Sequence, residues 1–558
     1  MQLLLGVSWF GASDPCSRGV SGAGNVLVLP PIEDFLRIHA RPTPYVEDPG
    51  LRMTQTSLKA NILSTYASQA YVSLIGIVML PLYLRYMGHE GYGLVGFFAM
   101  FQAWFQLLDV GLSPTLARQM ARYRGGALDI LDLRRLLRAM EGVFVGVAVA
   151  AALCIVAGAG SIATRWLNVE SLPLQDVRAS LMLMAVVIAL RWISGLYRSA
   201  LSGLEQLVWL SGWNSVIATL RFVAVIALFV FVSTSPVCFF AYQLGVAILE
   251  LAVLAFRLYG TLPVRASGQK IRWELRPLKG VLSFSISIAF TSSVWVIMTQ
   301  TDKLLMSRLL PLADYGAFTL AVLVASGVMM VSSPISSAIV PRMTRMQAAN
   351  DEARMLKLYR GSTQLVMTLT VPPALILALF AKPVLWAWTG DIDLAEQAAP
   401  VLTLYALGNG VMSAAAFQHY LQFAKGELTL HVIGSAVFVV VLVPALIVMT
   451  SVLGMEGAGW VWLILNLAFL VLWVPIVHRR YAPGLHLPWL LRDVAAPAVI
   501  AISVAVVMQH LIGWRDTPWI EGRLSVSVQL VAMTLVLVLV SSLGSDRVRA
   551  YAVRCWSR

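Results

Sequence analysis

This sequence predicts an all-α, polytopic membrane protein. About fourteen transmembrane helices form two six-helix bundles in parallel repeat, with two further helices after them. Three observations carry this. The first is composition: 59% of the 558 residues are hydrophobic and only 12% are charged, against roughly 25% charged in soluble domains. The second is the succession of apolar runs of about 20 residues, each long enough to cross roughly 30 Å of hydrocarbon as a helix. The third is an internal likeness. Tyr92-Gly93, an apolar span and then Met120-x-Arg122 recur at the same spacing as Tyr315-Gly316, an apolar span and Met343-x-Arg345. An even number of crossings separates the copies, so both enter the membrane in the same direction.

In chain order the spans begin near Ile62, Tyr92, Gly142, Ser180, Leu207 and Pro236 for the first bundle. The second bundle's spans begin near Val281, Ala317, Thr363, Ala398, Leu430 and Gly457, and the appended pair near Val494 and Ser525. The bundles cover residues 53–261 and 280–480, a basic linker 262–279 joins them, and residues 481–558 hold the last two helices and a basic tail. Residues 1–52, punctuated by Pro30, Pro31, Pro42, Pro44 and Pro49, read as disordered or as an untranslated extension with the working start at Met53. Their opening apolar run, Leu3 to Phe10, is short and lacks a preceding basic residue, so it makes a poor signal peptide. Pro81, Pro334, Pro372, Pro373, Pro444, Pro475 and Pro497 fall inside apolar runs, where each removes a backbone hydrogen bond and favours a kink.

The net charge of +13 follows topology and gives no ground for a nucleic-acid partner. With residue 60 in the cytoplasm, internal loops hold clusters such as Arg118, Arg122, Arg124, Arg134, Arg135 and Arg138, and external loops hold far fewer cations. That is the positive-inside asymmetry, and it places both termini in the cytoplasm. Cys16, Cys154, Cys238 and Cys555 show no disulfide or metal pattern, and the seven histidines are scattered. No phosphate-cradling glycine loop or nucleophile elbow is present. No metal or cofactor is therefore expected, and an enzymatic or ATP-driven mechanism has no support. Short external loops also weigh against a membrane glycosyltransferase or polymerase, which needs somewhere to hold its acceptor.

Ionisable groups within spans are costly, about 2.5 to 3.5 kcal/mol at the bilayer centre, so they mark sites by default. Arg191 and Arg221 lie deep in the fourth and fifth spans, and as neighbours they are candidates for one cavity wall that grips a pyrophosphate. Asp302 and Lys303 close the seventh span. Adjacent on a helix, they do not face each other, so one can line the cavity while the other meets a neighbour. Asp109 and Glu250 are the remaining acids in apolar surroundings, either proton sites for coupling or partners of loop arginines. Asn214 and Gln300, with Gln102, Gln106, Asn409 and Gln418, are candidates for a hydrophilic path. Trp104, Trp192, Tyr197, Trp213 and Trp295 are candidates to stack on sugar, with core packing the more frequent role for all of these. Trp386, Trp388, Trp460, Trp462 and Trp489 read as an interfacial belt.

Several stretches together resemble the Wzx-type polysaccharide repeat-unit flippases. They are Leu80-Pro81-Leu82-Tyr83 through Tyr92-Gly93 to Leu108-Asp109-Val110-Gly111-Leu112 and Leu116-Ala117-Arg118; Arg191-Trp192 through Gly195-Leu196-Tyr197-Arg198 and Leu201-Ser202-Gly203-Leu204 to Arg221; and Thr301-Asp302-Lys303-Leu304-Leu305 through Tyr315-Gly316. The resemblance implies the multidrug/oligosaccharidyl-lipid/polysaccharide exporter fold, two six-helix bundles around a V-shaped central cavity. It also implies a polyprenyl-diphosphate-linked oligosaccharide carried from the cytoplasmic to the periplasmic leaflet of a bacterial inner membrane, for O-antigen or exopolysaccharide export. Polysaccharide polymerase and glycosyltransferases are candidate partners beside the lipid bilayer. A cation-coupled drug or metabolite antiporter of the same superfamily is the main alternative.

Overall fold

The computed structural model describes residues 58–263, 278, 282–512 and 522–544. The expected N-terminal extension, most of the linker and the basic tail lie outside these residues. Among the described residues the chain is helical, with one isolated bridge, Asn168 with Pro311, and no strand. The first half contributes α1 (Leu58–Phe105), α2 (Leu112–Arg124), α3 (Ile130–Ser161) and α4 (Leu174–Gly203), then α5 (Leu207–Thr219), α6 (Val225–Phe231) and α7 (Pro236–Thr261). The second half contributes α8 (Leu282–Leu309), α9 (Leu312–Ala348), α10 (Glu352–Leu379), α11 (Ala381–Thr389), α12 (Ile392–Ala415) and α13 (Phe417–Lys425). It ends with α14 (Thr429–Ala468) and α15 (Val474–Tyr481), after which come α16 (Ala496–Ile512) and α17 (Arg523–Ser542).

Helix starts follow local chemistry. The Asp129 carboxylate accepts from the Leu131 amide at 3.0 Å to cap α3, and Ser235 caps α7, with Pro236 in the first turn, where its missing N–H costs nothing. Asp351 and Asp391 cap α10 and α12 in the same way.

Eleven helical stretches among the described residues are long and apolar enough to span a membrane. Two of them, Leu63–Asp109 and Thr429–Tyr481, run for 47 and 53 residues, about twice the length one crossing needs. Each merges two of the expected spans, and the span expected from Val281 is α8, outside the eleven. The long stretches are kinked at glycine: Gly88 has φ 73° and Gly454 φ 57°, conformations from which a Cβ is nearly excluded. Pro81, Pro372, Pro373 and Pro444 are carried inside helices. The large departures in α1 and α14 thus come from glycine, not from the prolines flagged in the sequence. Large side chains such as Leu153, Phe256, Val440 and Leu539 stand exposed, the surface a protein presents to lipid.

Within the first half, α4 packs along α7, α3 along α4 and α1 along α5; within the second, α12 packs on α14 and α9 on α10 and α12. The halves meet chiefly where α1 crosses α9 and α8. At that crossing the two repeated Tyr-Gly pairs touch. A Cβ on Gly93 would lie 2.2 Å from the Leu312 carbonyl oxygen, and one on Gly316 would lie 2.9 Å from the His89 carbonyl oxygen.

The appended helices pack on α10, and α17 also on α11. Ahead of α16, the fully buried Asp493 carboxylate takes Arg360 in a bidentate pair, at 2.6 and 3.1 Å, and Gln364 at 2.7 Å. The Asp493→Asn variant removes the carboxylate charge from this buried pair. It is expected to lower stability by about 3 kcal/mol, at the low end for a broken buried pair because Arg360 is partly exposed. Thermal unfolding of the purified protein in detergent checks this.

Candidate functional site

Helices α4 and α7 run side by side in the same direction. Arg191 and Arg198 are two turns apart on α4, and Gln243 and Glu250 are two turns apart on α7, so each pair lies along one helix face. The facing ladders join rung by rung. Arg191 Nη2 donates to Gln243 Oε1 at 2.5 Å, and Arg198 pairs with Glu250. The second Glu250 oxygen takes Arg221. Arg191 also stands over the Phe98 ring, 5.1 Å from its centroid, a cation–π contact with α1.

Arg221 reaches Glu250 from a widened turn, Leu220–Ala224, that links α5 to α6 with π-helical geometry. Such a turn frees carbonyls that a regular helix would satisfy. Tyr242 donates to the Leu220 carbonyl at 2.8 Å. Tyr83 donates to those of Arg221 and Phe222 at 3.0 and 3.1 Å, and Gln243 Nε2 to that of Arg221 at 3.1 Å. Gln243 therefore holds both expected arginines, one by its oxygen and one by its nitrogen. The two arginines are linked through α7, by Gln243 and by Glu250.

Two guanidiniums thus share one carboxylate, and a third, Arg191, stands two turns along on Gln243. The Glu250 side chain is fully buried, while Arg198 and Arg221 keep 22% and 12% of their side-chain surface exposed. The Nε atoms of Arg191, Arg198 and Arg221 have no hydrogen-bond partner, and the Asn214 Oδ1 on α5 is likewise unpaired and buried. Arg191 is buried among groups of the first half, between Gln243 and Phe98. None of the expected site residues lines either of two cavities found elsewhere. One, of about 610 Å³, lies beside His89, Asp393 and Glu396; the other, of about 210 Å³, lies beside Ile77, Leu323 and Trp388.

The second group of expected residues sits on α8. Lys303 Nζ donates to the Thr299 carbonyl at 2.7 Å and lies 3.2 Å from Asp302 Oδ1, while Tyr405 on α12 donates to Asp302 Oδ2 at 2.7 Å. Asp302 and Lys303 therefore meet each other, contrary to the expectation that adjacent helix positions separate them. A long lysine stem folds back far enough to cancel the angle. Both are buried, as is Gln300, whose Oε1 is unpaired. The α8 group stands apart from the arginine group, its bonds running to α12 and to its own helix. Asp109 accepts from the backbone and hydroxyl of Ser113 at 3.1 and 2.7 Å. Among the described residues, neither Asp109 nor Glu250 pairs with a loop arginine.

Several polar and aromatic expectations change. Asn409 bonds the Ala325 carbonyl and Trp462, and Gln418 bonds Gln422, so both serve helix packing. Trp489 is fully buried on Thr363 and Trp462 is 6% exposed, which removes them from an interfacial belt. Trp192 stacks on Phe144, and Tyr197 donates to Glu141 at 2.9 Å. Four of the scattered histidines form two pairs. His478 and His486 have Nδ1 atoms 3.1 Å apart, and the rings of His419 and His431 are centred 4.2 Å apart. Arg198 and Gln243 are site residues that sequence reasoning missed, although their two-turn spacing from Arg191 and Glu250 was a usable signal.

At the Gly88 end of the helices, bonds gather between the halves. The Leu312 amide donates to the Asn168 carbonyl at 2.8 Å, Asn168 Nδ2 to the Arg308 carbonyl at 3.0 Å, and Trp166 to Ser307 at 3.0 Å. The segment carrying Asn168 is itself fixed by Glu90, whose carboxylate accepts from the amides of Glu170, Ser171 and Leu172. His89 lies 3.3 Å from Asp391.

Against known proteins, the family described as "Polysaccharide biosynthesis protein" matches residues 58–347. No curated protein matches the chain by sequence. Among solved structures, a lipid II flippase, MurJ, in an inward closed conformation is 12% identical, with 87% of this chain and 98% of that one covered at a TM-score of 0.67. A multidrug resistance MATE family transporter of the MOP superfamily, inward-facing, is 12% identical over 74% and 94% at 0.59. The MATE multidrug transporter DinF-BH, in complex with R6G, is 15% identical over 80% and 98% at 0.54. At these identities the likeness establishes a shared fold.

Proposed function

We propose that this chain, which belongs to the polysaccharide biosynthesis protein family, is a flippase that carries a polyprenyl-diphosphate-linked oligosaccharide from the cytoplasmic to the periplasmic leaflet by alternating access. The family, and the fold shared with a flippase and a transporter of the MOP superfamily, support reading it as a membrane transporter. What supports an anionic lipid substrate is charge. Arg191, Arg198 and Arg221 outnumber Glu250 within apolar helices, and three of their donors are left over. Each buried charge is costly in a bilayer, so an uncompensated excess of two cations persists only where function needs it. Diphosphate oxygens match guanidinium donors in geometry and sign.

Arg191 and Arg221 bind the diphosphate, while Asn214 on α5 and Gln300 with Lys303 and Asp302 on α8 complete the polar path as the halves rearrange. The lipid tail stays in the bilayer. A cation-coupled drug antiporter of the same fold would need carboxylates free to take a cation; Glu250 and Asp302 are engaged by cationic side chains, which leaves Asp109, bonded to Ser113, as the coupling acid that reading would use. In the proposed topology the protein lies in a bacterial inner membrane with both termini cytoplasmic. In its native host, the Arg191→Ala, Arg221→Ala double variant is expected to lose surface polysaccharide at a normal protein level. Unchanged surface polysaccharide would overturn the assignment.

A further inference from the structure

We infer that Glu250 is a built-in stand-in for the substrate's anion, and that Arg198 is a third ligand of the diphosphate. Both points rest on the function proposed above. The two oxygens of Glu250 each hold one guanidinium, Arg198 from α4 and Arg221 from the widened turn after α5. A carboxylate bridging two forked donors occupies the position that a phosphate oxygen pair takes between two arginines.

The bridge gives the unloaded protein a stable ground state. Without it, two desolvated guanidiniums would face each other with no counter-charge. It also sets a limit on binding. A diphosphate must take Arg198 and Arg221 away from Glu250, so part of its attraction is offset by the carboxylate it displaces. The gain comes from Arg191, whose hydrogen-bonded anchor is the neutral Gln243 oxygen, and from the unpaired Nε donors. After the halves rearrange, Glu250 recaptures its guanidiniums and expels the headgroup. Glu250 is thus a positioning residue that trades affinity for release.

The test uses the purified full-length protein in lipid nanodiscs, titrated calorimetrically with farnesyl diphosphate, a short prenyl diphosphate. Glu250→Gln is expected to bind about tenfold more tightly than the wild type, the effect of relieving one competing charge-assisted contact. Arg198→Gln is expected to bind about tenfold more weakly, and in cells the Glu250→Gln variant is expected to export less polysaccharide despite its tighter binding. If Glu250→Gln binds no more tightly while Arg191→Ala, Arg221→Ala abolishes binding, the stand-in role is wrong and the proposed function survives. If the wild type does not bind the probe, or binds it unaffected by the arginine variants, the proposed function fails and takes this role with it. Should Glu250→Gln not fold, Glu250→Asp, which shortens the reach to one guanidinium, decides by the same criterion.

Discussion

Cross-linking residue 168 to residue 311 is expected to stop transport completely and reversibly. In the Asn168→Cys, Pro311→Cys variant the two cysteines replace a pair of directly bridged positions, one from each half of the protein. Neighbouring strands of such a bridge are about 4.8 Å apart, within the Cα separation that a disulfide tolerates. The bond would fasten the Gly88 end, where Asn168 already receives the Leu312 amide and Trp166 reaches Ser307. Alternating access requires this end to part when the opposite end closes. In the proposed topology it faces the periplasm, where a disulfide persists without added oxidant. Export should fall below detection in the double variant, return on addition of a reductant, and stay normal in each single-cysteine variant. Full export by protein shown to be cross-linked would mean that the halves do not separate there.

Much of the fold is legible in the sequence because a bilayer leaves few choices. Apolar runs of crossing length become helices, and the recurrence of Tyr92-Gly93 as Tyr315-Gly316 announces two related halves. That these copies touch each other is not legible, since contact between distant segments has no local signature. Helix breaks are misplaced by a proline count for a physical reason. Proline disturbs one turn, which neighbouring groups in a membrane protein can re-satisfy, whereas Gly88 and Gly454 adopt positive φ and kink the chain between two helices.

The candidate site is half visible in the same way. Arg191 and Arg221 stand out by depth, but Arg198, nearer the end of its span, resembles an ordinary helix terminus. Only the matching two-turn spacing of Gln243 and Glu250 on a parallel helix shows that Arg191 and Arg198 act together. Trp462 and Trp489 are misplaced by sequence because position along a span gives height in the membrane and says nothing about which way the helix faces.

The glycine crossing leads to the second large effect. Gly93→Ala is expected to open the Gly88 end even without a substrate, because its Cβ would fall 2.2 Å from the Leu312 backbone oxygen, an atom that cannot swing aside. Relief requires α1 and α9 to separate, at the cost of about 1–3 kcal/mol that overpacking carries. That energy applies only to the state in which the crossing is closed. A closed-state penalty of this size shifts the balance toward the open state by about five- to a hundred-and-fiftyfold. The readout is the rate at which a membrane-impermeant maleimide labels a cysteine at position 168, which should rise by that factor in Gly93→Ala. Gly327 lies on the same helix as Gly316, but a Cβ added there would meet nothing within 4 Å, so Gly327→Ala should label at the parental rate. Equal labelling of all three proteins would show that the Leu312 amide's bond to the residue-168 carbonyl and the bond from Trp166 to Ser307 hold the end shut by themselves. In that case the paired Tyr-Gly repeats are only a packing contact between the two halves.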